Sequence, residues 1–174
     1  SAAVGTRIES ALREHRHVWL VGPCGVDLAS FVASVLTACP EGDRVAVFER
    51  APEIALGDRS AICLKHGAVP LADLIDRARS FRPDRLVLHA VRENELASVL
   101  DVLAHRPEGY LASFEARSAK DALAAFDRSV GADLTLRAVS LLVELKLAKD
   151  GATRVAAAYD IELDASGELS LRGG

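Results

Sequence analysis

Five short apolar runs, set apart by helical patterns, constrain this 174-residue chain more than any other feature. They are Val18–Val21, Val45–Phe48, Ala61–Leu64, Leu86–Leu88 and Leu111–Phe114. Each is too short for a helix and lacks polar alternation, the pattern of a strand buried on both faces. Between them lie helical stripes: roughly Leu28–Cys39, then Leu71, Leu74, Ile75 and Ala78, then Leu96, Val99, Leu100 and Leu103. A further helix starts at "SAKD", where Ser118 and Asp121 form a capping box, and runs through Leu123 and Phe126. Val4, Ile8 and Leu12 predict a short leading helix. Strands alternating with helices predict an α/β domain with a mostly parallel sheet. The last third differs. Asp150-Gly151 and Ser166-Gly167 are turn signals, and they divide it into three antiparallel strands at about 141–148, 153–163 and 168–172. There is no internal repeat or linker, so residues 1–174 are expected to form one domain.

Composition removes several function classes. Half the residues are hydrophobic, enough for a buried core, yet no run approaches the roughly 20 residues that span a bilayer. No signal-peptide pattern is present. The chain begins at Ser1 and contains no Met, so it reads as an excised piece of a longer protein. The net charge is −4 and there is no basic block. That argues against a nucleic-acid surface and against direct attraction to anionic lipid. The three cysteines, Cys24, Cys39 and Cys63, form no CxxC or Cys/His cluster. They are read as small buried hydrophobes in a reducing cytoplasm, with no metal site and no disulfide framework.

The stretch "HVWLVGPCGVDLASFVASVL", His17–Leu36, is laid out like a phosphate-binding loop between a strand and a helix. In the pattern GxxxxGK[ST], glycines let backbone N–H groups converge on phosphates, Lys neutralises their charge and the hydroxyl holds Mg²⁺. With Gly22 as the first glycine, the loop runs Pro23, Cys24, Gly25, Val26, and Asp27 takes the second glycine's place. Leu28 stands where the Lys belongs and Ala29 where the hydroxyl belongs. Ser30 is one residue late, roughly 100° round the helix. Asp27 is expected to cap its own helix where a phosphate would sit.

Other segments carry a resemblance. "FRPDRLVLHAVRENELASVLDVLAH" (Phe81–His105), "GYLASFEARSAKDALAAF" (Gly109–Phe126) and "ADLTLRAV" (Ala132–Val139) resemble, in order, segments of the type II/type IV secretion ATPases. The tight-adherence pilus branch is the most similar, and "RPDR", Arg82–Arg85, is the most specific motif. With the loop and the closing strands, the likeness covers about residues 14–163. It implies a RecA-like P-loop NTPase fold, and a ring-forming ATPase of pilus assembly or secretion at the inner membrane. Carried over residue by residue, the resemblance implies lost chemistry. The family's Walker B Gly-Glu pair matches His89 and Ala90, and its later histidine matches Glu115. The acidic box keeps Glu49 but has Arg50 next, while Glu53 and Arg92 survive. The segment after "LRAV" is shorter than in the family, so a helix there is expected to be trimmed.

Several functional expectations follow. The first is a pseudo-ATPase, no longer an enzyme, kept as a structural or regulatory interaction module of a pilus or secretion machine. It would be cytoplasmic, brought to the membrane through partners such as an active homologue or inner-membrane components. It would be a monomer or weak dimer alone, with ring assembly left to a full-length protein. No cofactor is expected. The alternative is a nucleotide switch that holds ATP or ADP weakly through the loop backbone and Arg92, with little or no hydrolysis. A third reading is an unrelated enzyme using His89, Glu115, Cys24 and Glu49, which requires those four to converge. For single residues, His89 is expected to fill space left by the Gly-Glu pair, and Glu49 and Glu53 to be a solvated carboxylate pair. Trp19 is expected in the core, and Asp84 and Arg85 to shape the start of their strand. No spacing predicts a Ser/His/acid triad.

Overall fold

The computed structural model describes residues 2–173, so the two ends of the expected domain lie outside the described residues. The alternating pattern folds as α1 (Ala2–Arg13), β1 (Val18–Gly22), α2 (Leu28–Leu36), β2 (Val45–Glu49), β3 (Ala61–Lys65), α3 (Leu71–Arg77), β4 (Arg85–Val91), α4 (Leu96–Ala104), β5 (Gly109–Glu115), α5 (Ala119–Ala138), β6 (Leu141–Leu147), β7 (Thr153–Leu163) and β8 (Leu169–Gly173). One eight-stranded sheet has the order β3-β2-β4-β5-β1-β6-β7-β8. Pairing is parallel from β3 through to β6, and the two last pairs, β6–β7 and β7–β8, are antiparallel.

Both faces of the sheet are covered, which is why β1 and β2 are buried at every position rather than at alternate ones. Ile8 and Leu12 of α1 and Val32, Val35 and Leu36 of α2 cover one face. Leu71 and Ile75 of α3, Leu96 and Leu100 of α4 and Phe126 of α5 cover the other. Trp19 is fully buried as expected, stacked at a tilt on Phe126 with centroids 4.7 Å apart, its Nε1–H donating to Ala138 O at 3.1 Å. Gly131 has φ 79 and ψ 171, which splits α5 into two arms, and the expected "ADLTLRAV" segment forms the second arm.

Several expectations need correction. β3 is an edge strand and half-exposed, with Ile62 38% accessible, because nothing pairs with its outer side. Cys63 lies on it and is exposed, Cys24 is exposed in the loop, and only Cys39 is buried. α2 ends at Leu36, not Cys39. The capping box at α5 is half made: Ser118 accepts from Asp121 N–H at 3.1 Å, but the Asp121 carboxylate turns to Arg117.

The amino ends of the strands form a bonded rim. Arg85 is fully buried yet satisfied in part: its Nε donates to Asp43 at 3.2 Å and its Nη2 to Leu12 O at 2.7 Å. Asp84 takes a two-pronged bond from the Arg44 guanidinium, at 2.9 and 3.0 Å, which holds its carboxyl well below the usual range. "RPDR" thus ties β4 to the start of β2 and to the end of α1.

Candidate functional site

α2 follows β1 onto one face and α5 follows β5 onto the other, while β1 and β5 are neighbours. Their carboxyl ends are a topological switch point, where an open α/β sheet leaves a crevice. A cavity of about 520 Å³ lies there, lined by Leu28, Arg50, Glu53, His89, Arg92, Phe114 and Glu115 among others.

The loop after β1 turns as its glycines require. Gly22 leaves little room for a side chain: a Cβ would sit 3.1 Å from Val26 Cγ1 and 3.3 Å from Leu145 O. Gly25 adopts φ +92. Three of the loop's N–H groups are turned onto the protein itself. Val26 donates to Pro23 O at 3.1 Å and Leu28 to Val26 O at 2.9 Å. Asp27 N–H donates to Thr153 Oγ1 at 3.0 Å, so the β6–β7 turn clasps the loop. The Asp27 carboxylate accepts from Ser30 N–H at 2.9 Å, which depresses its pKa and caps α2 as the sequence predicted.

Beside the loop, β4 carries a bulge between Leu88 and Val91. Ala90 sits in it at φ 53, a left-handed conformation costing roughly 1–3 kcal/mol for a residue with a side chain. Both of its backbone polar groups are held: its N–H donates to Ser113 Oγ at 2.9 Å and its C=O accepts from Arg50 Nη1 at 2.8 Å. The bulge turns His89 inward. His89 Nδ1 lies 3.0 Å from Ser113 Oγ and Nε2 2.9 Å from Glu53 Oε2. The Glu53 carboxylate can only accept, so Nε2–H donates to it, and in the neutral ring Nδ1 accepts from the Ser113 hydroxyl, whose oxygen takes the Ala90 N–H. Sequence reasoning missed Ser113; it lies 24 positions from His89 and only the β4–β5 pairing brings them together. This Ser–His–Glu chain has no exposed nucleophile, since Ser113 is fully buried.

The remaining expected residues fall as follows. Glu49 is buried, not solvated; its Oε2 accepts from Glu53 N–H at 3.0 Å and Ile54 N–H at 3.2 Å, fixing the loop after β2. Arg50 pairs with Glu95 at 2.6 Å; burial alone would raise the Glu95 pKa, but the bonds from Arg50 and from Arg92 N–H outweigh it and hold the carboxyl low. The side chain of His66, fully buried beside this pair, has an imidazole pKa lowered by desolvation. His89 and Glu115 line the cavity, but Cys24 and Glu49 do not, so the four residues of the unrelated-enzyme reading do not converge. No group of three or more metal-ligating side chains occurs among the described residues.

A mostly parallel sheet, a glycine loop leading from a central strand into a helix, and an antiparallel closing meander make up the RecA-like architecture of the secretion ATPases. Solved structures carry the comparison. The VirB11 ATPase of the Brucella suis type IV secretion system, in complex with sulphate, superposes with a TM-score of 0.79 at 16% identity, covering 91% of this chain and 54% of that one. The Legionella pneumophila ATPase DotB gives 0.67 at 14% identity, covering 95% and 49%. The pilus retraction motor PilT with bound ADP gives 0.65 at 16% identity, covering 95% and 50%. The chain therefore spans about half the length of the proteins it matches. No protein-family model matches the sequence, and no curated protein matches it.

Proposed function

We propose that this domain is a non-catalytic relative of the secretion and pilus ATPases, retained as a structural or regulatory interaction module. The observation that carries the reading is the hydrogen bonding of the loop. In a working phosphate loop the N–H groups around the second glycine are free for phosphate. Here Asp27 N–H is given to Thr153 and Leu28 N–H to Val26, and the Asp27 carboxylate occupies the helix terminus. Leu28 contributes no charge, and a methyl group, Ala90, stands at the position matched to the water-polarising glutamate. A triphosphate entering this loop would meet a carboxylate and no lysine.

The partners of such a module are other proteins: an active homologue in a ring completed by the full-length chain, or inner-membrane components of a pilus or secretion machine. Among the described residues no helix is long and apolar enough to cross a membrane, so membrane proximity would come through those partners. The competing reading, a nucleotide switch without hydrolysis, draws on the loop backbone, where Gly25 turns at φ +92, and on Arg92 at the cavity wall.

Thermal unfolding with several millimolar Mg-ATP, with Mg-ADP and without nucleotide separates the two. A ligand at 100 times its Kd adds about 2.7 kcal/mol, visible as a rise of a few degrees. The expected result is no rise and no phosphate release. A saturable rise moves the switch reading to first place, and Mg-ATP turnover sinks the proposal.

A further inference from the structure

β3 closes one side of the sheet, and its outer backbone groups have a definite register. His66 N–H, just past the strand, donates back to Glu49 O of β2 at 3.1 Å. Backbone direction alternates along a strand, so Ile62 and Leu64 also turn their N–H and C=O toward β2. Those of Ala61, Cys63 and Lys65 point away from the sheet, where no other strand lies. The strand has no proline and no bulge, and its one charged residue is terminal Lys65. Ile62 is 38% exposed and Cys63 is exposed beside it.

We infer that this edge pairs with the same edge of a second copy of the chain, antiparallel and centred on Cys63. The strand is self-complementary in that register. Cys63 faces its own mate as a hydrogen-bonded pair, and Ala61 faces Lys65 on both sides of the axis, so all the outward N–H and C=O groups of the strand find partners. Shifting the register by two residues leaves part of them unpaired. Side chains agree. Leu64 packs toward the α3–α5 face, and Ile62 lies on that same face by alternation, so Ile62 of one copy meets Leu64 of the other as an apolar cross-strand pair. On the opposite face small Ala61 lies across from long Lys65. Such a contact is isologous and closes at two copies, unlike the head-to-tail contacts that build rings. Five residues a side bury well below the roughly 1,200 Å² of a stable interface, so the pair forms only at high concentration. The inference stands whether or not the loop binds nucleotide.

Thiol cross-linking of the 174-residue chain tests it. Hydrogen-bonded antiparallel partners have Cα atoms about 5.5 Å apart but Cβ atoms too far apart for an unstrained disulfide, so a short bismaleimide is the probe. Desolvation pushes the Cys63 thiol up, so the reaction is run at mildly alkaline pH. Cys24→Ser leaves Cys63 as the exposed thiol; Cys63→Ser leaves Cys24 and reports random collision. At submillimolar protein the Cys63 pair should cross-link about tenfold faster than Cys24, because copies paired at this edge hold the two thiols side by side while Cys24 thiols meet only by collision. Ala61→Pro, in the Cys24→Ser background, removes an outward N–H at the first strand position, which Pro tolerates. It should bring the rate down to the Cys24 level, and Ile62→Lys should do the same if Ala61→Pro does not fold. A Cys63 rate no faster than Cys24, or one unchanged in folded Ala61→Pro or Ile62→Lys, overturns the inference. So does a monomer in sedimentation at millimolar concentration.

Discussion

The two ends of β4 lie only a few residues apart and have been treated in opposite ways. At the amino end, Arg85 and Asp84 pin the strand through Asp43, Leu12 and Arg44, with "RPDR" intact. At the carboxyl end, His89 and Ala90 sit in a strained bulge whose polar groups bond to Ser113, Glu53 and Arg50. The first end carries the fold and the second is where a nucleoside triphosphatase keeps its chemistry. The difference teaches that at the first end hydrogen bonds tie one strand to other elements, while at the second the polar groups beside the cavity are bonded to one another.

Three perturbations break or sharpen that contrast. The largest effect is expected at the amino rim. Asp43→Ala leaves the fully buried Arg85 guanidinium without its carboxylate and should cost about 3–5 kcal/mol, read as a lower urea midpoint. A value under 1 kcal/mol would mean that the amino rim is not the stabilising end.

Next is acid sensitivity from the same rim. His17 stacks on Tyr110 with centroids 4.2 Å apart, and burial lowers its pKa to about 4, with Glu108 opposing. The unfolded chain takes up this proton near pH 6.5 and the folded one only near 4. Stability is therefore unaffected by this group above pH 6.5, falls as the pH drops from 6.5 to 4, and levels off below. The loss should be roughly 2–3 kcal/mol, and His17→Phe, which keeps the stack, should flatten that slope in denaturation measured across pH.

The smallest effect is expected at the carboxyl rim. Asp27→Ala removes the cap of α2 and should cost about 1 kcal/mol. Because Ser30 bonding depresses the Asp27 pKa, this contribution is present above the unfolded carboxylate value and is lost as pH falls through the folded one. If Asp27→Ala creates saturable Mg-ATP stabilisation in the same melts, its carboxylate was the barrier to phosphate.

Much of the frame was legible because it is local. Apolar runs gave the strands, Asp27 its cap, and Asp150-Gly151 and Ser166-Gly167 the two turns, with Gly151 and Gly167 at φ 81 and 82. What escaped is long-range. The Thr153 hydroxyl that takes Asp27 N–H lies 126 positions away, and no pattern within the loop points to it. Ser113 looked like any small residue of a buried strand until β5 paired with β4. The αL turn at Ala90 had no glycine to announce it, and the bulge is held by partners from two other elements. Exposure of Cys63 depended on β3 being last in the sheet, and a run of apolar residues carries no information about sheet order. The alkyl side chain at Leu28 was readable directly; where the Val26, Asp27 and Leu28 amides find their acceptors was not.

The position of β1 has a consequence for how the chain is made. It precedes the other seven strands of its sheet in the chain, yet it lies between β5 and β6, and Val18 pairs with Leu141, 123 positions later (141 minus 18). Ribosomes add roughly 5–20 residues per second, so the run "VWLVG" waits on the order of ten seconds with no lasting partner on either side. It is fully apolar for all that time. The nascent protein therefore has a built-in window of vulnerability to self-association, and a chaperone that holds extended apolar segments should find its binding site here.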